Sequence, residues 1–343
     1  MSTHAGGLMA AEIAEQPEAL ARLLEAHERI EAVAARIRSA APRFVLLAAR
    51  GTSDHAALYA KYLVETTLGL PCGLVSTSVY TAYERQPDLH GVLWVAVSQS
   101  GGSPDLVEST ERARAGGALT LAVTNSDDSP LQRASELSVD VLAGPERSVA
   151  ATKTYTSSLL ALWLLVRAWA CLPHEDAHRL PDWTRAALEV DVDDVAARFR
   201  FVDKLVTTSR GYAYPTAREA ALKLMETCYL SAHAFSGADL LHGPLAMVDA
   251  DRPVLVVVPE GPGGRALDPV VEALRSRGAD LTVVGARPDG GPEPAVSLPP
   301  GMDEQLAPVV QIVPLQRLAR SLAVSRGLDP DRPRGLNKVT RTF

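Results

Sequence analysis

The stretch Val95-Ala96-Val97-Ser98-Gln99-Ser100-Gly101-Gly102-Ser103-Pro104-Asp105 joins two kinds of sequence. The apolar run from Val92 to Val97 stops abruptly at hydroxyls, an amide and two glycines. Beyond Pro104, Leu106, Val107, Thr110 and Ala113 recur at three- and four-residue spacing, which predicts a helix. A strand, a tight loop and a helix start are expected. Backbone N–H groups at a helix start carry partial positive charge and suit an anion. The serine hydroxyls add neutral donors, and the glycines let the backbone approach a ligand closely. The loop reads either as a phosphate cradle or as an ordinary strand-to-helix turn. It has neither the Gly-Lys-Ser/Thr of a Walker loop nor the Gly-x-Gly-x-x-Gly dinucleotide pattern.

The same alternation extends in both directions. Residues 8 to 40 predict two helices with a break at Pro17, the second over Glu18 to Ser39. Strand-like runs follow at Phe44 to Ala48, Gly73 to Ser76, Val92 to Val97, Leu119 to Thr124 and Leu137 to Leu142. Helical patterns lie between them, at Asp54 to Leu68 and after Pro104, and Thr152 to Cys171 closes the set. Such alternation argues for parallel βαβ units with helices on both faces of a sheet. After a connecting stretch, strands are expected at Leu205 to Ser209, Val254 to Val258 and Leu281 to Val284. Helices are expected at Thr216 to Tyr229, opened by a Thr-x-x-Glu capping box, and at Val309 to Arg326. The halves echo each other. Arg50-Gly51 precedes Ala56-Ala57, Lys61 and Glu65; Arg210-Gly211 precedes Ala220-Ala221, Lys223 and Glu226. This suggests an internal repeat.

Composition narrows the class. The 343 residues suit two domains, and 47% hydrophobic content fills their cores. A net charge of -7 with interspersed signs excludes a basic nucleic-acid footprint. Cys72, Cys171 and Cys228 are too scattered for a disulfide framework or a zinc motif. The first ten residues lack a signal-peptide pattern, and the apolar run Leu159 to Leu172 is cut by Arg167 and too short to span a bilayer. A cytoplasmic protein with no membrane partner is expected.

Several motifs taken together resemble the sugar isomerase (SIS) domain family, most closely the two-domain isomerase half of glucosamine-6-phosphate synthase and its stand-alone amino-sugar-phosphate relatives. The motifs are Met9 to Pro17, Arg50-Gly51-Thr52-Ser53, Ser98-Gln99-Ser100-Gly101 and Ala143-Gly144-Pro145-Glu146 running into Val149-Ala150-Ala151-Thr152-Lys153. Glu219 to Glu226, His242-Gly243-Pro244-Leu245 and Arg332-Pro333-Arg334 to Thr340 complete the series in order. The resemblance implies an α/β fold of two tandem SIS domains, each a flavodoxin-like three-layer αβα sandwich with a mainly parallel sheet. The implied boundaries are N-terminal helices at 1–40, a first SIS domain at 41–172, a linker at 173–200, a second SIS domain at 201–328 and a tail at 329–343.

It also implies roles. Ser98, Gln99 and Ser100, with Thr52, Ser53 and Ser103, would hold a sugar phosphate, Ser103 standing where the family commonly has threonine. Val149 would line the sugar site. Glu226 would move a proton between C1 and C2, with Lys223 one turn before it. His242 would assist ring opening, offered from a partner subunit of a homodimer with a shared active site. Lys338 would form an imine with the open-chain sugar. No metal or organic cofactor is implied. The chemistry asks for these types independently: proton abstraction α to a carbonyl needs a carboxylate whose pKa burial raises, ring opening a group titrating near neutrality, and imine formation a lysine whose pKa desolvation lowers. The residues alone leave other uses open. Glu219, Lys223 and Glu226 fit a solvated salt-bridge row, with Glu219 the capping-box partner. His242 fits a turn, and Lys338 fits surface charge.

Residue 2 is serine and the first cysteine is Cys72, so no cysteine nucleophile for a glutaminase is present and a free-standing unit is expected. That leaves isomerisation and deamination of glucosamine 6-phosphate to fructose 6-phosphate and ammonia as the first expectation. A lyase eliminating water from an N-acetylglucosamine 6-phosphate-type substrate after the same C2 proton abstraction is the second. A non-catalytic sugar-phosphate sensor is the third. The apolar helix Leu159 to Leu172 is expected to suit a dimer contact.

Overall fold

A computed structural model describes residues 5–287 and 291–338. Val339 and Thr340, which end the tail motif, and Arg341 and Phe343 lie outside the described residues. The chain divides into two compact units. One comprises Glu18–Glu146, Lys153–His178 and residues 337–338; the other comprises residues 5–17, Arg147–Thr152 and Arg179–Leu336.

In the unit that begins at Glu18, strands β1 (Phe44–Ala48), β2 (Cys72–Leu74), β3 (Val92–Ser98), β4 (Leu119–Thr124) and β5 (Leu137–Asp140) form one sheet in the order β2-β1-β3-β4-β5. Every pairing is parallel, with Ala48 opposite Ala96 and Ser98 opposite Thr124. The strands are apolar because parallel sheets are covered on both faces. Leu93 to Val97 are at most 3% exposed. The helix Lys153–Trp169 packs against His27–Ala40 and Thr52–Leu63. Its residues Leu159 to Val166 are already buried in the single chain, so this helix is core and offers no free face for the expected dimer contact.

The second unit repeats the plan. Strands β6 (Lys204–Ser209), β7 (Ser231–Ser236), β8 (Pro253–Val258), β9 (Asp280–Gly285) and β10 (Val296–Ser297) run β7-β6-β8-β9-β10, again all parallel. Both sheets therefore have the flavodoxin-like 2-1-3-4-5 order, and helices flank them. The chain is α/β with two tandem three-layer sandwiches, as the motifs implied.

Local differences have local causes. The helix expected over Glu18 to Ser39 is two, Gln16–Glu25 and His27–Ala40. They separate at Ala26, where the His27 ring takes the Leu24 carbonyl through Nδ1 at 2.8 Å. The capping box at Thr216 is absent. The helix starts earlier, at Tyr214, where Pro215 sits in its first turn and needs no N–H partner. Thr216 and Glu219 consequently lie inside it, fully buried. Strand β7 escapes sequence reading because Ser231, His233 and Ser236 interrupt it and the strand sits at a sheet edge. Among the described residues, no helix is long and apolar enough to cross a membrane.

Trp94 on β3 is fully buried, meets Tyr80 edge-on with centroids 5.2 Å apart, and donates from Nε1 to Thr110 Oγ1 at 3.1 Å. Trp94→Ala leaves a cavity and an orphaned hydroxyl, and is expected to cost about 3–5 kcal/mol in urea unfolding. A loss below about 1 kcal/mol would show that the sheet does not depend on this packing.

Candidate active site

In a 2-1-3-4-5 sheet, the helices that follow the first and third strands leave on opposite faces, opening a crevice beyond the carboxyl ends of those strands. In the first sheet that crevice lies beyond β1 and β3. After β1, Gly51 turns the chain at φ 56° and the helix Thr52–Leu63 begins, so Thr52 and Ser53 are its first residues, both half-buried. After β3, Ser98 is 6% exposed and its Oγ accepts from Gly101 N at 3.2 Å. Ser100 Oγ accepts from Gly102 N at 3.3 Å, and Ser103 opens the helix Pro104–Ala115 without a side-chain cap bond. Gly101 has φ 59°, and a Cβ there would lie 2.2 Å from Ser129 Oγ. Only glycine fits this turn.

The two loops are tied together by a pair the motif reading passed over. Arg50 Nε and its terminal nitrogen each lie 2.9 Å from Asp105 Oδ2, and Arg50 also bonds Thr77 Oγ1. Asp105 is 3% exposed and spends its other oxygen on Leu106 N at 3.0 Å. The signal was available, since Asp105 directly follows the Ser-Pro of the loop and Arg50 opens its own motif. Nothing in sequence spacing, however, pairs them.

Lys338 belongs to the same unit. Its ammonium donates to Glu146 Oε2 at 2.9 Å, and Thr154 donates to the same carboxylate from N at 3.1 Å and from Oγ1 at 2.7 Å. The side chain of Glu146 is fully buried and that of Lys338 is 24% exposed. The tail lysine is therefore docked on the Ala-Gly-Pro-Glu motif and is not surface charge.

The other unit carries Glu226, Lys223, His242 and Val149. On the helix Tyr214–Cys228, Lys223 Nζ lies 3.3 Å from Glu219 Oε1 and 2.5 Å from Glu226 Oε2. Glu219 and Lys223 are sealed from solvent, while the Glu226 side chain is 23% exposed. The row is buried and not solvated. Burial works to deprotonate Lys223, but the two carboxylates outweigh it and the ammonium is held above its ordinary pKa. Lys223 thus lies between two carboxylates, one buried and one at the half-open end of the row. Val149 is half-buried in a segment secured by Glu12, whose carboxylate accepts the Arg147 and Ser148 N–H groups. His242 is exposed at the C-terminal cap of the short helix Gly237–Leu241, an element separate from the Glu226 row.

The second sheet has a corresponding crevice beyond β6 and β8, and a side chain fills it. Glu304 Oε1 accepts from Gly263 N at 2.7 Å in the loop after β8. A Cβ on Gly261 would lie 2.6 Å from Glu304 Oε2, and one on Gly211, after β6, 3.8 Å from Oε1. A carboxylate thus stands where an anionic ligand would enter. Desolvation raises the Glu304 pKa, only partly opposed by the Gly263 N–H, so this loop stabilises negative charge weakly.

A family model described as the SIS domain matches residues 40–168 and 199–289, covering every strand but β10. The chain belongs to the SIS domain family. The glutamine–fructose-6-phosphate aminotransferase (isomerizing) of Methanothermobacter thermautotrophicus is 36% identical over 337 residues, covering 96% of this SIS chain. The chain spans only 56% of that relative's length, and 58% of the homologous Pseudomonas putida enzyme, 35% identical. A Silicibacter pomeroyi DSS-3 structure, provisionally named a phosphosugar isomerase, superposes with TM-score 0.86 and 36% identity, covering 94% of this chain and 99% of its own. The C-terminal domain of a Francisella tularensis glucosamine-fructose-6-phosphate aminotransferase superposes with TM-score 0.83 and 28% identity, over 95% and 98% of the two chains.

Because burial lifts the Glu304 pKa, folding favours its protonated form. Its contribution to stability is present below the ordinary glutamate pKa and is lost as pH rises through the raised value. Glu304→Gln keeps an acceptor for Gly263 and should flatten this pH dependence. Glu304→Ala orphans the N–H and should cost about 1–2 kcal/mol. Denaturant midpoints from pH 4 to 8 that are identical for wild type and Glu304→Gln would contradict the assignment.

Proposed function

We infer that this chain is a sugar-phosphate isomerase acting on a phosphorylated amino sugar, and that it deaminates glucosamine 6-phosphate to fructose 6-phosphate and ammonia. The observation that carries this reading is Glu226, a carboxylate at the half-open end of a buried row whose lysine is locked as an ammonium. Such a group is oriented, desolvated on one side and open to substrate on the other, as a carbon-acid base must be. The relatives named above as aminotransferases and isomerases support the substrate class.

The assigned roles follow the chemistry. Thr52, Ser53, Ser98, Gln99, Ser100 and Ser103 hold the phosphate through hydroxyls, the Gln99 amide and helix-start N–H groups. Val149 lines the sugar. His242 assists opening of the ring to the C1 aldehyde, and its exposure fits a residue offered to a partner subunit in a homodimer. Glu226 removes the C2 proton and returns it to C1, giving an imine at C2. The Lys338 amine, freed from Glu146 and deprotonated, adds to that C2 imine and ammonia leaves, giving a lysine imine. Water then adds at C2 and Lys338 leaves as the amine, so one water is consumed for each ammonia released. The reading places the protein in the cytoplasm with no nucleic-acid or membrane partner.

The grip of Glu146 on Lys338 favours a second reading. Elimination of water from an N-acetylated substrate needs the same C2 proton abstraction but no lysine imine. Product analysis in deuterated water separates the two. Glucosamine 6-phosphate should yield ammonia and fructose 6-phosphate with deuterium at C1. Glu226→Gln should lower turnover at least about 100-fold while leaving phosphate binding intact. Lys338→Ala should stop ammonia release. An unsaturated product from the N-acetyl substrate, unaffected by Lys338→Ala, would establish the lyase. Binding without turnover of either substrate would establish a sensor.

A further inference from the structure

Away from these residues, His27 and Glu31 on the helix His27–Ala40 meet His174, which precedes the short 3-10 helix Glu175–Arg179. One ligand-capable atom from each lies within 4.8 Å of the other two. His27 Nε2 is 4.0 Å and His174 Nδ1 3.9 Å from Glu31 Oε1. The His27 and His174 rings are 4.5 Å apart between centroids, and His178 follows at 5.8 Å from His174. All four residues belong to the unit that begins at Glu18.

The hydrogen bonding sets the chemistry of this cluster. A carbonyl only accepts, so the 2.8 Å contact of His27 Nδ1 with Leu24 O requires the proton on Nδ1. In the neutral ring Nε2 then carries a lone pair, and that lone pair faces a carboxylate oxygen. A buried backbone partner fixing the tautomer is the arrangement metal-binding histidines use. The His174 segment is secured as well, since Arg167 Nε donates to Pro173 O at 2.8 Å. Two imidazole nitrogens and a carboxylate oxygen thus converge on one small volume, where a proton or a metal ion can bridge them.

We propose that His27, Glu31 and His174 form a binding site for a divalent transition-metal ion of the zinc, nickel or cobalt type. Two imidazoles with one carboxylate select these ions over magnesium or calcium, which take oxygen shells. Ligand atoms around tetrahedral zinc stand about 3.3 Å apart, so the cluster closes onto an ion by small side-chain rotations. His178 or water completes the shell. The ion would clasp the helix His27–Ala40 to the segment that follows the buried helix Lys153–Trp169, so its effect is on stability. This site is independent of the sugar-phosphate reading.

The test uses the full-length chain without a histidine tag, stripped with EDTA and titrated with zinc chloride in a calorimeter at pH 7.5. A single saturable site per chain is expected, with a zinc-dependent rise in Tm. His27→Ala, His174→Ala and Glu31→Gln should each weaken binding at least about tenfold, whereas His90→Ala, an exposed histidine in another loop, should not. Circular dichroism checks that the variants fold. Cobalt(II) should give the visible absorption of a low-coordinate nitrogen and oxygen shell, lost in Glu31→Gln even if a histidine variant fails to fold. Absence of saturable zinc binding to wild type, or unchanged affinity in folded His27→Ala and His174→Ala, would overturn the site and leave a histidine pair that binds protons only.

Discussion

The parallel pairing of β1 with β3 is the constraint from which the arrangement of the serine-rich edge follows. Parallel neighbours cannot be joined by a tight turn, so each strand is followed by a crossover that leaves from the same end of the sheet. Ala48 opposite Ala96 therefore delivers Arg50–Ser53 and Ser98–Asp105 to one edge. Two helices of twelve residues each start there, and both present N–H groups and hydroxyls without any lysine. The single cation at this edge among the residues discussed, Arg50, is spent on Asp105. Under the proposed function, this edge would hold a phosphate monoester through dipoles and neutral donors, with no permanent charge pair to break on release.

Charge is handled differently in the second unit. Glu219, Lys223 and Glu226 carry two negative charges and one positive on consecutive turns of one helix. Burying such a row is costly, and packed apolar side chains would stabilise the helix as well or better. On the proposed function, the partly exposed Glu226 gives that cost a use, with Lys223 bridging it to the buried Glu219. Of the three, only Glu226 reaches solvent. The repeat on the helix Thr52–Leu63 has Lys61 against Glu65 in a half-exposed pair, the form such a row takes without a catalytic task.

Much of this was legible in the sequence, for physical reasons. Continuous apolar runs such as Val92 to Val97 and Val254 to Val258 mark strands covered on both faces, and the glycine-rich break at Gly101 marks a turn no other residue tolerates. The repeat of Arg-Gly motifs at Arg50 and Arg210 announced two similar sheets. What stayed hidden were long-range pairings. Neither the Asp105 contact with Arg50 nor the docking of Lys338 on Glu146 has a sequence signature, because each joins residues whose meeting depends on the whole fold. The misplaced capping box shows the converse error. Thr216 and Glu219 have the spacing of a cap, yet Pro215 had already started the helix, and the buried Lys223 claimed Glu219.

Glu304 bears on how a duplicated domain diverges. Two copies of one fold begin with two equivalent ligand edges, and selection need keep only one of them. In the second sheet a carboxylate from the chain itself, Glu304, is lodged against Gly263. The loop after β8, Pro259 to Gly264, carries no hydroxyl, in contrast to Ser98, Ser100 and Ser103. A search for phosphate loops in such a chain returns one motif where the architecture has room for two. The silent copy is recognisable by the acidic side chain that has taken the ligand's place.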